Sequence, residues 1–137
     1  MTDQHDLPTV EFAFPGPLRD TLVAAILAGS KTATSSTLVE YSVDDEALPV
    51  VGTRQSVVDS DDAPVAVIEI TAVDVVRLGD VGLQHAIDEG EGYTTVAEWR
   101  AGHERFWHGE AMRAYLGEPH FTVDDETLVV LERFRLV

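Results

Sequence analysis

The sequence predicts an α+β fold, a small and partly closed antiparallel β-barrel with flanking helices. Two β-branched runs, Thr53 to Val58 and Val65 to Val76, are separated by Asp59-Ser60-Asp61-Asp62-Ala63-Pro64, a stretch with the chemistry of a hairpin turn. Helical patterns are few, and few strands lead into a crossover helix, which disfavours a parallel sheet. The 137 residues are 45% hydrophobic and contain no cysteine, so one domain folds on its own core without disulfide staples.

Met1 to Val10 is polar and reads as a loose terminus, leaving residues 11–137 as a single domain. Leu18, Leu22, Ala25 and Ile26 follow helical spacing, with Pro17 suited to the first turn and Gly29 to a left-handed terminus, which predicts a helix over 17–28. Gly29 to Ser36 then leaves the helix as a hydroxyl-rich turn or strand start. Residues 40–50 are acidic, end in Leu48-Pro49 and read as a loop. The run from Val65 to Val76 is apolar on both faces, as expected of a central strand. A short helix near 83–88 precedes the loop Glu89-Gly90-Glu91-Gly92. Thr95 and Glu98 form a capping box that opens a helix over 95–116, closed near Gly117 and Pro119. Phe121 to Val123, a turn at Asp124-Asp125, and Leu128 to Leu136 complete an antiparallel pair. Internal repeats and low-complexity linkers are absent from the sequence.

The 25 acidic and 9 basic side chains give a formal charge of -16. On a sphere of about 18 Å radius this repels each surface phosphate by roughly 1 kcal/mol at physiological salt. The arginines are scattered from Arg19 to Arg135, with no basic stripe to release counterions. A long nucleic acid is therefore not expected to bind through a basic surface, whereas a small neutral ligand meets no such barrier. The start of the chain carries no basic segment followed by an apolar stretch, and the longest aliphatic run is Leu22 to Ala28. The expectation is a cytoplasmic protein with no membrane partner.

Lys31 is the only lysine. An amine kept where arginine serves elsewhere is a candidate for proton transfer, which guanidinium cannot perform. Glu69 lies within Val65-Ala66-Val67-Ile68-Glu69-Ile70, where an ionised carboxylate requires a partner or a raised pKa. Either that face of the strand is solvated or salt-bridged, or Glu69 is an acid or base facing a cleft. Thr34 is the nearest candidate nucleophile, provided that a turn or bulge brings it beside Lys31. The Gly-x-Lys-x-x-Thr spacing is not a phosphate-binding P-loop. His103 shares a helix side with Trp99, Phe106 and Trp107, as a core histidine or as a ligand contact; an indole at a cleft mouth could stack on a base. His85 and Glu89, one helical turn apart, lack a third metal ligand, so neither a metal nor another cofactor is expected.

Together these segments resemble the ASCH domain family of the PUA-like superfamily in its longer bacterial form. The resemblance runs through Gly29-Ser30-Lys31-Thr32-Ala33-Thr34-Ser35-Ser36, Leu48-Pro49-Val50-Val51-Gly52, the strand holding Glu69, Glu89-Gly90-Glu91-Gly92, Trp99-Arg100-x-x-His103 and Glu132-Arg133-Phe134. It implies a PUA-like β-barrel with a cleft for a small nucleoside-like ligand or short RNA. It also implies an amidohydrolase site like that of the shorter members acting on N4-acetylcytidine. Lys31 and Thr34 would then be catalytic, with Glu69 as the strand glutamate, and Gly29, Ser35, Ser36, Glu91, Trp99 and His103 would bind substrate. A non-catalytic module for RNA or a modified base, and an RNA-cleaving enzyme, are the alternatives it leaves. The extra helical segment near 83–116 and the acidity set this chain apart from the short amidohydrolases.

Overall fold

A computed structural model describes residues 7–137. In chain order the strands are β1 (Thr9–Val10), β2 (Ala33–Thr37), β3 (Arg54–Val58), β4 (Pro64–Arg77) and β5 (Leu128–Leu136). The helices are α1 (Pro17–Ala28), α2 (Leu38–Val43), α3 (Leu83–Asp88), α4 (Val96–Trp107) and α5 (Glu110–Leu116), with a 3₁₀ turn at Leu78–Asp80. Among the described residues no helix is long and apolar enough to cross a membrane.

The five strands form one sheet in the order β1-β3-β4-β5-β2. All pairs are antiparallel except β1 with β3, which is parallel. The α+β class therefore agrees with the sequence, but the barrel is not closed. Its edge strands are β1, only two residues long, and β2, and among the described residues no ladder joins them. Both edges instead line one cavity. Thr9 and Val10, read from sequence as part of the loose terminus, pair with Ser56 and Val57; residues 1–6 of that terminus lie outside the described residues.

β4 is central, as its two-faced apolar pattern predicts. Its register against β5 slips between Ile70 and Ala72, so Thr71 is the extra residue of a bulge, a feature that bends a strand. On one side of the bend Phe12, Leu22, Val23, Ile26, Val57, Ile68, Ile70 and Phe134 form an apolar cluster. Leu78, Ala86, Trp99, Trp107, Met112, Leu116 and Val129 form part of a second. The cavity takes wall residues from both clusters, Phe12 and Leu22 from the first and Trp107 and Met112 from the second.

α1 spans the predicted residues and ends at Gly29, whose φ of 83° is costly for any residue with a Cβ. Three local expectations are corrected. Part of the acidic stretch 40–50 is helical, because Thr37 and Glu40 make a capping box that starts α2. The helix over 95–116 breaks at His108-Gly109 into α4 and α5. Phe121 to Val123 is not a strand; its backbone is held by side chains, with Arg113 Nε donating to Phe121 O at 3.0 Å and Val123 N donating to His108 Nε2 at 3.0 Å.

Candidate functional site

The left-handed turn at Gly29 directs the chain back so that Ser30 N and Lys31 N both donate to Ala25 O. Lys31 thereby enters the interior with its side chain 1% exposed. Its Nζ donates to Ala33 O at 2.8 Å and to Glu89 O at 3.3 Å, and lies 3.8 Å from Glu89 Oε1. Three acceptors suit the three protons of an ammonium group. Burial pulls the Lys31 pKa down, opposed by the charges of Glu89, Glu91 and Glu132.

Glu89 is the hub of the site. It caps α3 and is 1% exposed, although the glycines beside it read as an open loop. Its Oε2 accepts from Ser35 Oγ at 2.6 Å and from Trp99 Nε1 at 2.7 Å, and lies 3.0 Å from His85 Nε2; its Oε1 lies 3.0 Å from His103 Nε2. Burial favours the neutral acid, but the hydrogen bonds from His103 and His85 and the charges of His103 and Lys31 outweigh it. They hold Glu89 well below the usual carboxylate range.

His103 faces an acceptor at each nitrogen, Trp99 O at 2.9 Å from Nδ1 and the Glu89 carboxylate from Nε2. The backbone carbonyl can only accept, so Nδ1 carries a proton; with Nε2 donating to a carboxylate the ring is an imidazolium. Burial works against that charge, and the bond and charge of Glu89 overcome it, raising the His103 pKa. The ring stacks on Trp99 with centroids 4.3 Å apart. Glu91, Glu89 and His103 also bring ligand atoms within 4.8 Å of one another, a grouping able to hold a cation. His103 Nε2 donates to Glu89 Oε1 there, so a metal on that nitrogen would displace this bond.

Thr34, on β2, stands opposite Glu132 on β5, and both side chains line the cavity. Directly opposed residues carry their Cβ atoms about 5 Å apart on the same face. Glu132 is 7% exposed and accepts from Tyr41 Oη at 3.2 Å. Burial raises its pKa to about 7, with Glu46 adding to the rise while the Tyr41 bond and Lys31 oppose it. The cavity itself measures about 860 Å³, within the range of about 300–1,000 Å³ usual for small-molecule sites.

The sequence-predicted residues divide accordingly. Lys31, Thr34, Ser35, Ser36, Glu91 and His103 all line this cavity. Gly29 shapes the turn behind Lys31 without forming the wall. Trp99, expected at the cleft, is 0% exposed and lies behind Glu89, so it positions that carboxylate and has no free face for a base. Glu69 is not in the site. The alternation that buries Ile68 and Ile70 turns Glu69 to the opposite face. There it is flanked by Arg54 on β3 and Arg135 on β5, at 3.3 and 2.9 Å. Hydrogen bonds from Arg135 and Arg54 lower its pKa, the behaviour of a surface ion pair. His85 and Glu89, considered as metal ligands, bond to each other.

Sequence reasoning missed Glu132 as a buried carboxyl of the cavity wall and Glu89 as the hub. Glu132 sits in Val129-Val130-Leu131-Glu132-Arg133-Phe134, an apolar setting much like that of Glu69, and it shares an inward stripe with Val130 and Phe134. The signal was present, but choosing between the two glutamates required the strand register.

The chain matches the family model for the ASCH domain over residues 11–137. It is similar to an ASCH domain structure from Lactobacillus crispatus JV V101, with 30% identity and a TM-score of 0.80 over 95% of this chain and 79% of that one. A protein structure from Enterococcus faecalis V583 is 27% identical with a TM-score of 0.78, covering 98% and 82% of the two chains. A mutant ASCH protein from Zymomonas mobilis is 11% identical with a TM-score of 0.51, covering 85% and 63%, and this likeness concerns the fold alone. No curated protein sequence matches significantly.

Proposed function

The chain belongs to the ASCH domain family, and from that premise we propose that it binds a nucleoside-sized ligand in its cavity and hydrolyses an acyl amide carried on that ligand. The observation that carries this reading is the cross-strand pair Thr34 and Glu132 beside a buried ammonium, Lys31, in one cavity. A carboxylate with a pKa of about 7 suits general base catalysis at neutral pH.

In this mechanism Glu132 takes the proton of the Thr34 hydroxyl as its oxygen attacks the acyl carbonyl carbon. The negative charge that develops on the carbonyl oxygen is stabilised by the positive charge of Lys31, whose hydrogens stay on Ala33 O and Glu89. Collapse of the tetrahedral intermediate breaks the carbon–nitrogen bond, and Glu132 returns the proton to the departing amine. Water, deprotonated by the same carboxylate, then attacks the Thr34 ester; the bond to Thr34 breaks as Glu132 returns that proton to the Thr34 oxygen, releasing the carboxylic acid and restoring the site. Glu89 and His103 hold Lys31 and Ser35 in place and take no proton from substrate. The role first assigned to Glu69 passes to Glu132.

A second reading, a binding module for a modified base or an RNA end, draws support from the saturation of Lys31 by three acceptors, which fits a structural ammonium as well as a reactive one. Long RNA is disfavoured by the wall itself, which includes seven carboxylates, among them Glu40, Asp44 and Glu46, against Lys31, Arg19, Arg105 and His103. Incubation of the purified protein with N4-acetylcytidine and, separately, with labelled RNA distinguishes the readings. Release of cytidine that is lost in Thr34→Val and Glu132→Gln supports hydrolysis; saturable binding without turnover supports the module. RNA cleavage, or turnover indifferent to both substitutions, overturns the proposal.

A further inference from the structure

Gln55 lies on β3, where strand alternation sets it on the same face as Val57 of the first apolar cluster, and it lines the cavity. Its amide oxygen is screened from solvent yet accepts no hydrogen bond; it is the buried side-chain polar atom left without a partner among the described residues. Such a group is destabilising unless something completes it.

Two cations of the wall, Arg19 and Lys31, are already engaged. Arg19 gives its hydrogens to Phe12 O, Ala13 O, Asp59 O and the Glu11 carboxylate. Lys31 gives its own to Ala33 O and Glu89. Gln55 Oε1 and the carboxylates of Glu91 and Glu132 are thus acceptors on the wall to which a ligand can bring hydrogens. From this we infer that Gln55 is a specificity-determining residue: its buried carbonyl accepts an N–H from the exocyclic amino or amide nitrogen of the ligand. The ligand is accordingly an uncharged or cationic heterocycle with a donor edge. The inference rests on the reading that the ligand occupies this cavity. It adds which edge the protein reads and which residue reads it.

A site built around a buried acceptor rejects an analogue that lacks the matching hydrogen far more strongly than an apolar pocket rejects an added methyl. The test measures binding by calorimetry for two probe pairs, N4-methylcytidine against N4,N4-dimethylcytidine and N6-methyladenosine against N6,N6-dimethyladenosine. The wild type is expected to prefer the single-hydrogen member of at least one pair by about tenfold or more, the scale set by an unpaired buried polar group. Gln55→Met, similar in volume but without the carbonyl, is expected to bind both members of that pair within about twofold, and Gln55→Glu, which keeps an acceptor, to retain the preference. Since the amide oxygen has no protein partner to lose, ligand-free Gln55→Met should melt no lower than the wild type.

A melting point several degrees lower would show that the amide is structural and would overturn the inference. Equal binding of both members by the wild type, or a preference that survives in Gln55→Met, overturns it while leaving the cavity reading intact. If the wild type binds none of the four probes, and none shifts the amide resonances of Thr34, Gln55 or Glu132, the cavity reading fails and takes this inference with it.

Discussion

Replacement of Glu89 by glutamine tests the architecture of the site most directly. The carboxylate receives hydrogen bonds from Ser35, Trp99, His85 and His103 and lies 3.8 Å from the Lys31 ammonium. A glutamine of the same size offers one oxygen, able to satisfy two donors, and turns an NH₂ group toward the others. Each buried donor left unpaired costs about 1–3 kcal/mol. Loss of the counter-charge leaves two buried cations uncompensated, and breaking a buried pair costs about 3–5 kcal/mol. The effects overlap, so the expected loss is about 3–5 kcal/mol, a large part of the roughly 5–15 kcal/mol available to a domain.

Urea denaturation of Glu89→Gln, with the slope compared to that of the wild type, gives the free-energy change. Its pH dependence gives the cause. In the wild type, Glu89 contributes stability above the ordinary glutamate range that is lost as pH falls through its depressed folded value. His103, whose folded pKa is raised, contributes stability below about 6.5 that is lost as pH rises through the raised value. Both dependences should vanish in the variant, and the His103 ring, followed by NMR, should titrate at lower pH. A loss under about 1 kcal/mol with an unmoved His103 titration would refute the account of Glu89 as the hub.

Glu132→Gln should have the opposite effect on stability. Raising this carboxyl from 4.5 to about 7 makes its ionised form costlier in the folded state by about 3 kcal/mol. Folded protein thus holds the proton more tightly than the unfolded chain, and stability falls as pH rises from about 4.5 to about 7. The glutamine variant should match the wild type at pH 4 and exceed it by about 1–3 kcal/mol at pH 8 in urea titrations, while the proposed hydrolysis is lost. Gly90→Ala should destabilise by about 2–3 kcal/mol in the same assay, because Gly90 has φ +72° and an added Cβ would stand 2.4 Å from Ser30 O. Glu69→Gln should leave both the urea midpoint and ligand binding nearly unchanged, since its partners Arg54 and Arg135 are more than half exposed; a variant that binds no ligand would return Glu69 to the site. Thr34→Val should retain binding by calorimetry and lose the proposed turnover by about a hundredfold or more.

Local chemistry made much of this molecule legible. Pro17 and Gly29 bound α1 because a missing N–H and a missing Cβ act within one turn. The turn at Asp59 to Pro64 and the capping box at Thr95 and Glu98 are likewise contained in a few residues. Lys31 was conspicuous for being alone. What escaped depended on partners distant in sequence. Whether Glu69 or Glu132 faces inward is decided by a register that pairs residue 34 with 132 and 69 with 54 and 135. The burial of Glu89 depends on donors from β2, α3 and α4 converging on it, and no window around Glu-Gly-Glu-Gly contains them. How far the barrel closes depends on β1, a strand of two residues too short to be read from the sequence.

A chain with one lysine, its side chain 1% exposed, also carries a built-in chemical gauge. Apart from the α-amine, an amine-selective reagent has a single address, shielded while the native packing holds and open once it yields. The yield of acylation or reductive methylation at that address, followed by mass spectrometry, therefore counts opening events of this one hollow. The same label, isotopically enriched, would give one side-chain resonance, separate from that of the α-amine, to report molecules that enter it.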